Sequence, residues 1–364
     1  HAGAATNRGA VLQETGKPLE ARAAYAQALA AEPNNPDARY NLGTLLQETG
    51  HPEEAIAEYE AVLTLEPGHA GAQVNIAYAL RELGRLEEAL EASRKAIALA
   101  PDYDKARVNL GDLLLEMRRP EDAVTETAAF LAGHPGNTSA LAFQAIALNE
   151  AGDRAGAARL LDFERLLRPI EISPPEGFAS VADFNAALAR HLRAHPSLAY
   201  APASHATRRG RHSGELTIGD KGPVAGLEQT IVAAVEAYRR ALPPEPDHPF
   251  LAQRPDKLTL SIWGVVMEDR GHQIAHIHPA AWLSGVYYPE IPDVVQDDDP
   301  GHQGWIEFGR PPADFHATRE AITTLIRPRE GLMLLFPSYL YHETVPFHAP
   351  VERLSVAFDV MAGD

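Results

Sequence analysis

Apolar residues in the first 169 positions recur at helical spacing, in blocks separated by short polar breaks. In NLGTLLQETG (41–50) they fall on one helical face, and Gly50 stops the turn. HPEEAIAEYEAVLTLEP (51–67) then opens with Pro and acids, as a helix N-terminus does, and closes on Pro67. The pattern predicts a pair of amphipathic helices, and the pair recurs. Pro33, Pro67, Pro101, Pro135 and Pro169 stand 34 residues apart. Ala21, Ala55, Ala89, Ala123 and Ala157 keep the same step. So do Gly16, Gly50, Gly84 and Gly152, with Arg118 the single departure. Gly9, Gly43, Ala77, Gly111 and Ala145 form a further register of small residues, which lets neighbouring helices approach closely. One unit cannot bury its apolar face alone, so five units are expected to stack over residues 1–169 into an all-α superhelix with a concave groove.

After Pro169 the period stops. EISPPEG (171–177) reads as a Pro-rich joint. Residues 180–196 and 225–242 carry helical patterns, and ASHATRRGRHSGELTIGDKG (203–222) between them reads as a polar loop, either a lid or an inert insertion. From Lys257 the texture becomes that of short strands: LTLSIWGVVM, QIAHIH, WLSGVYY, GWIEFG, ITTLIRP, GLMLLFP and RLSVAFDVM. β-Branched and aromatic runs broken by Gly, Pro and Asp suggest a sandwich or jelly-roll barrel. PEIPDVVQDDDPGHQ (289–303) reads as a solvated loop. Residues 170–364 are thus expected to form one α+β domain.

Composition narrows the function. The chain has 364 residues and a formal net charge of -18, with the acidic excess divided evenly between the halves. That balance excludes the basic footprint of a nucleic-acid binder and disfavours anionic membrane surfaces. No apolar run reaches the ~20 residues of a membrane span. With no cysteine, disulfides, thiolate metal sites and cysteine nucleophiles are excluded, and a cytoplasmic protein fits. The chain opens on His1 rather than Met, which reads as a start inside a longer protein.

The candidate chemistry is in HQIAHIHPAAWLSGVYY (272–288). His276 and His278 alternate in a strand-like run, so both rings face one side and can close on one metal. A third imidazole, His342, follows a buried-looking strand in LMLLFPSYLYHETV. Arg353 opens the last strand, RLSVAFDV, where a cation among apolar residues calls for an anionic partner such as a carboxylate. Trp263, Trp282, Tyr287 and Tyr288 read first as core, and His272 as a loop residue. In the repeats, Asn7, Asn41, Asn75 and Asn109 share one position, broken by Phe143. Such a column either grips the backbone of an extended peptide or bonds locally. Tyr40, Tyr78, Arg81, Lys105 and Asp112 are expected to share the groove.

The strict 34-residue period resembles the tetratricopeptide repeat. The Asn column resembles that of O-linked N-acetylglucosamine transferase. His276-Ile277-His278, His342 and Arg353-Leu354-Ser355, in that order, resemble the double-stranded β-helix oxygenases. The closest pattern is a group with HxHPxxxxSGVYY and LFPSxxxH segments, and the likeness covers roughly residues 180–364. The resemblance implies a dioxygenase using Fe(II), 2-oxoglutarate and O2, with Arg353 on the far carboxylate of 2-oxoglutarate and Ser355 or Tyr287 assisting. The usual ligand carboxylate is replaced by His278, and three readings follow: a metal held by His276, His278 and His342, which we favour; a two-His site, as in aspartyl/asparaginyl β-hydroxylase; or a domain that has lost its metal. Halogenation, the other outcome of a missing carboxylate, is disfavoured because His278 fills that place. The substrate implied is a peptide or protein side chain delivered by the repeat groove. The alternative is a non-catalytic repeat scaffold carrying a vestigial cupin-like domain.

Overall fold

The structure, a computed structural model, describes residues 1–201 and 205–363, with the side chain of Lys105 outside the described residues. The chain divides into two compact units, His1–Ala123 and Val124–Asp364. The first is helical throughout: α1 (Ala2–Glu14), α2 (Pro18–Ala31), α3 (Pro36–Glu48), α4 (Pro52–Leu65), α5 (Ala70–Glu82), α6 (Leu86–Leu99), α7 (Asp104–Glu116) and the start of α8 (Pro120–Gly133). Local chemistry sets these ends. Pro36 opens α3, and the Asn35 side chain accepts a hydrogen bond from the Ala38 N–H at 2.9 Å. Gly16, Gly50 and Gly84 take positive φ just after α1, α3 and α5. Arg118 does the same after α7, at φ 59°. The departure from the glycine register therefore keeps its conformation, at the steric cost of a Cβ in the left-handed region. The small-residue register is equally physical. A Cβ on Gly9 would stand 2.4 Å from the Tyr25 ring, and one on Gly43 2.7 Å from the Tyr59 ring.

The second unit continues with α9 (Thr138–Glu150), α10 (Arg154–Leu161), α11 (Phe163–Leu166), β1 (Arg168–Glu171), α12 (Val181–Ala194), β2 (Ala199–Tyr200), β3 (Thr207–His212), α13 (Val224–Ala241) and α14 (Pro249–Ala252). The strands β4 (Leu258–Gln273), β5 (Leu283–Glu290), β6 (Ile306–Phe308), β7 (Thr324–Ile326), β8 (Leu332–Pro337), β9 (His342–Thr344) and β10 (Arg353–Ala362) complete it. They form two antiparallel sheets among the described residues, one ordered β1-β8-β5-β10-β4-β3-β2 and a smaller one ordered β7-β6-β9. From β4 onward the chain passes back and forth between the sheets. A lone bridge from His276 to His342 extends the smaller sheet beyond β9.

Helices α12 and α13 lie where the apolar periodicity placed them. The polar stretch 203–222 is not wholly loop: Thr207–His212 pairs with β4 as β3, around a bulge at Arg208/Gly210. Strand β3 is Arg-rich and near the sheet edge, so it lacks the apolar alternation of a buried strand. The Pro-rich joint likewise begins inside β1, which pairs with β8. No helix among the described residues is long and apolar enough to cross a membrane.

The repeat period runs to Pro169, whereas compactness divides the chain at Ala123/Val124. Helix α9 accounts for the difference, because all of its residues except Leu148 are buried within the second unit. Thr138 donates to the Ala281 carbonyl at 3.3 Å, and the Tyr339 hydroxyl to the Leu160 carbonyl at 2.5 Å. The Glu150 carboxylate accepts from the Arg319 N–H at 2.8 Å and the Thr318 hydroxyl at 3.0 Å. Phe143, at the position that is Asn in the four preceding repeats, is 1% exposed and packs on Phe315 with ring centroids 5.8 Å apart. Phe143→Asn should therefore destabilise the second unit by at least about 3 kcal/mol, as loss of a buried aromatic does. Urea unfolding followed by far-UV dichroism checks this, and the wild-type midpoint in the variant would contradict it.

Candidate metal centre

Strand β4 ends at Gln273, so His276 and His278 do not share one continuous strand as their alternation predicts. His276 instead exchanges two backbone hydrogen bonds with His342, both at 3.1 Å. The His278 N–H donates to the Ser338 carbonyl, also at 3.1 Å. These contacts bring the three rings together. Ring centroids lie 4.2 Å apart for His276 and His342, 5.2 Å for His276 and His278, and 5.3 Å for His278 and His342. One ring nitrogen from each lies within 4.8 Å of the others.

The tautomers are fixed by neighbours. Nδ1 of His276 lies 2.9 Å from the Ile274 carbonyl, and Nδ1 of His342 lies 3.0 Å from the Leu340 carbonyl. A carbonyl oxygen only accepts, so each Nδ1 carries the proton and donates. Nδ1 of His278 donates to Oδ2 of Asp359 at 2.9 Å. With the proton on Nδ1, Nε2 of each ring is the atom turned to a ligand, the arrangement a divalent cation requires. Burial and the neighbouring His278 ring push His276 down to about 4. Burial and both other rings hold His342 well below the usual imidazole value. Neutral imidazoles at pH 7 are ready to ligate without first losing protons.

The same cavity reaches the start of β10. Its lining includes His276, His278, His342, Tyr288, Thr344, Arg353 and Ser355. Side chains alternate along the strand, so Arg353, Ser355, Ala357 and Asp359 face this side while Leu354, Val356, Phe358 and Val360 pack behind. Arg353 is 2% exposed. Its guanidinium lies 5.2 Å from the Tyr288 ring centroid and meets the Met267 sulfur at 3.4 Å, and its Nε has no hydrogen-bond partner. No carboxylate pairs with Arg353 among the described residues, and burial lowers the guanidinium's affinity for its proton. An enclosed cation of this kind fits an incoming carboxylate, and three converging imidazole nitrogens fit a divalent transition metal.

Several sequence expectations are redirected. Tyr287 points away from the cavity, packs on Phe184 and donates to Asn185 Oδ1. Its neighbour Tyr288 faces Arg353 instead. Trp263 packs on the core cluster of Val265, Met267 and Phe347, as read, and also lines the cavity, 5.8 Å from the His278 ring at an interplanar angle of 28°. Trp282 is core, stacked on Phe250. His272, read as a loop residue, lies half-buried in β4 opposite Arg208, and its Nδ1 bonds locally to the Arg270 carbonyl. Asp359 escaped the reading, although the argument that singled out Arg353, a charge inside an apolar strand, applies to it equally. In the first unit, Asn7, Asn41, Asn75 and Asn109 recur on α1, α3, α5 and α7. The Asn75 amide donates to the Tyr40 hydroxyl at 3.2 Å, and Asn109 lies beside Tyr78. Arg81 pairs with Asp112 and Glu116, so the groove's arginine is already neutralised.

Residues 261–359 match the family model described as "Putative 2OG-Fe(II) oxygenase". Two tetratricopeptide repeat models match, one at 40–104 and 108–169, the other at 12–60 and 80–129. The chain thus carries tetratricopeptide repeats followed by a segment of that oxygenase family. No curated protein matches it. Similar solved structures include the MamA protein, at 24% identity over 45% of this chain and 90% of that one, with a TM-score of 0.40. YrrB, described as a TPR protein with an unusual peptide-binding site, shares 22% identity over 43% and 81%, with a TM-score of 0.36. An O-GlcNAc transferase mutant of Thermobaculum terrenum shares 24% over 36% and 26%, with a TM-score of 0.33.

The lowered imidazole values carry a pH consequence for the metal-free protein. An unfolded imidazole takes its proton near pH 6.5, whereas folded His276 takes it only at about 4. The unfolded state therefore binds more protons in that window, and stability should fall as pH drops from about 6.5 towards 4. His276→Gln should flatten that part of the urea-midpoint profile; an unaltered slope would contradict the assignment.

Proposed function

We propose that residues 170–364 form an Fe(II)- and 2-oxoglutarate-dependent dioxygenase that hydroxylates a peptide or protein side chain, with the repeats of residues 1–169 recruiting the polypeptide. One observation carries the reading: three converging imidazoles line one cavity with a buried guanidinium that, among the described residues, has no carboxylate partner. The larger and smaller sheets, between which the chain passes back and forth, support reading the core as a double-stranded β-helix (jelly roll).

In this reading Fe(II) is held by His276, His278 and His342, and 2-oxoglutarate is anchored through its far carboxylate by Arg353, with Ser355, Tyr288 and Thr344 beside it. When bound, these groups together with O2 supply the oxidation, placing one oxygen atom in a substrate C–H bond and leaving succinate and CO2. The protein's part is positional. The Ile274 and Leu340 carbonyls and the Asp359 carboxylate hold each imidazole in its ligating tautomer. Arg353 supplies a fixed positive charge in a low-dielectric enclosure, where it selects a carboxylate strongly. Trp263, Ile306 and Phe336 give the cavity an apolar wall that limits water around the metal position. The repeat unit favours a polypeptide substrate, since grooves of this kind accept extended or helical segments. The net charge of -18 favours a basic or neutral one.

Two substitutions test the assignment. His342→Ala should abolish metal-dependent succinate release from 2-oxoglutarate; full turnover would remove His342 from the ligand set. Arg353→Ala should raise the 2-oxoglutarate concentration needed for half-maximal turnover by about 10- to 100-fold, the worth of a hydrogen bond to a charged group, while metal binding persists. An unchanged requirement would take Arg353 out of this role. A wild-type protein that binds neither Fe(II) nor 2-oxoglutarate would leave the scaffold reading standing.

A further inference from the structure

Asp359 lies in neither the repeat groove nor the imidazole set, yet it is the carboxylate that touches the set. Its Oδ2 accepts from Nδ1 of His278 at 2.9 Å. Its Oδ1 accepts from the Ser284 hydroxyl at 2.6 Å. Ser284 has a single hydroxyl proton and gives it to Asp359, so the Ser338 hydroxyl, 2.8 Å away, must donate to Ser284. The backbone closes the arrangement, because the Ser338 carbonyl accepts the His278 N–H. Asp359 and Ser284 stand directly opposite each other on β10 and β5, and β5 pairs in turn with β8, which leads into Ser338. Three adjacent strands thus build a track of hydrogen bonds that ends on one imidazole. Trp263, opposite Ala357 on β4, covers a face of the same ring.

His278 needs this support more than its two partners do. Main-chain carbonyls fix the rings of His276 and His342, which no side-chain substitution can remove. His278 lies outside the named strands, two residues beyond the His276 bridge, and its Nδ1 partner is a side chain. From this geometry we propose that Asp359 is the positioning residue that makes His278 a ligand: it holds the Nδ1–H tautomer and aims Nε2 at the other two imidazoles. The negative charge that a directly ligating carboxylate would bring to the metal is thereby placed one imidazole further out. The proposal rests on the three-histidine reading above and assigns a role within it. Carboxylate-backed imidazoles of this kind are stiffer and more basic donors, and loss of the carboxylate commonly lowers metal affinity 10- to 100-fold.

The test uses the full chain and Co(II) alone, followed by calorimetry and by the visible ligand-field bands that report coordination. Asp359→Ala should weaken Co(II) binding about 10- to 100-fold and shift the visible bands. Asp359→Asn, which still offers Nδ1–H an oxygen acceptor, should recover part of that loss. The decisive arm is a double-mutant cycle. In a His278→Ala background, removing the Asp359 carboxylate should cost nothing further, because the ligand it acts through is gone. A purely structural role would instead weaken binding equally in both backgrounds. Wild-type affinity and spectrum in Asp359→Ala, or wild-type affinity in His278→Ala, would overturn the proposal. A wild-type chain that fails to bind Co(II) would overturn the three-histidine site itself, and the two failures are therefore distinguishable.

Discussion

Arg353, enclosed at 2% exposure with Met267 and Tyr288 beside its guanidinium and no carboxylate opposite it among the described residues, is the constraint on which the site depends. Charge removed from water without a counter-ion is strongly unfavourable, and proteins keep such an arrangement where a ligand completes it. Strand β10 holds Arg353 in place by pairing with β4 on one side and β5 on the other. Apolar residues on its far face anchor the strand, and its near face is left to function. The same alternation that aims Arg353 into the cavity aims Asp359 at the histidines. One strand therefore sets both ends of the site.

The order of chemical features was legible in the sequence, and their facing was less so. The pairing of His276 with His278, the distal His342 and the charged start of the last strand stand out because imidazoles and a guanidinium are costly in strand-like runs. Which tyrosine faces the cavity did not stand out. Tyr287 and Tyr288 are adjacent, and a shift of one residue exchanges the faces of a strand. The bulge between Leu354 and Val356 against β5 adds an irregularity that no local pattern announces. Asp359 was missed for a related reason. An acid near the end of a strand resembles a turn residue until its partner, 81 positions upstream, is seen beside it.

The helical half shows a parallel division between period and packing. A repeat of 34 residues is a strong signal because every unit must present the same small, apolar and turn-forming positions to its neighbours. The period continues through Pro169 although the packing environment changes before it. Phe143 in place of Asn is the trace of that change, an aromatic where the preceding units keep an amide. Strand β3 is the opposite case, a paired strand with polar, Arg-rich composition. Periodicity reports what a segment would do among copies of itself, and burial reports what surrounds it.

Metal and dicarboxylate are proposed to occupy one cavity and to bind as a pair. The most direct measurement is the affinity for 2-oxoglutarate, by anaerobic calorimetry, with and without Mn(II), together with the affinity for Mn(II) with and without 2-oxoglutarate. Each ligand is expected to tighten the other, and by the same factor, because coupling between binding free energies is reciprocal. Affinities that are independent of each other, or a dicarboxylate that binds no better with the metal present, would contradict it.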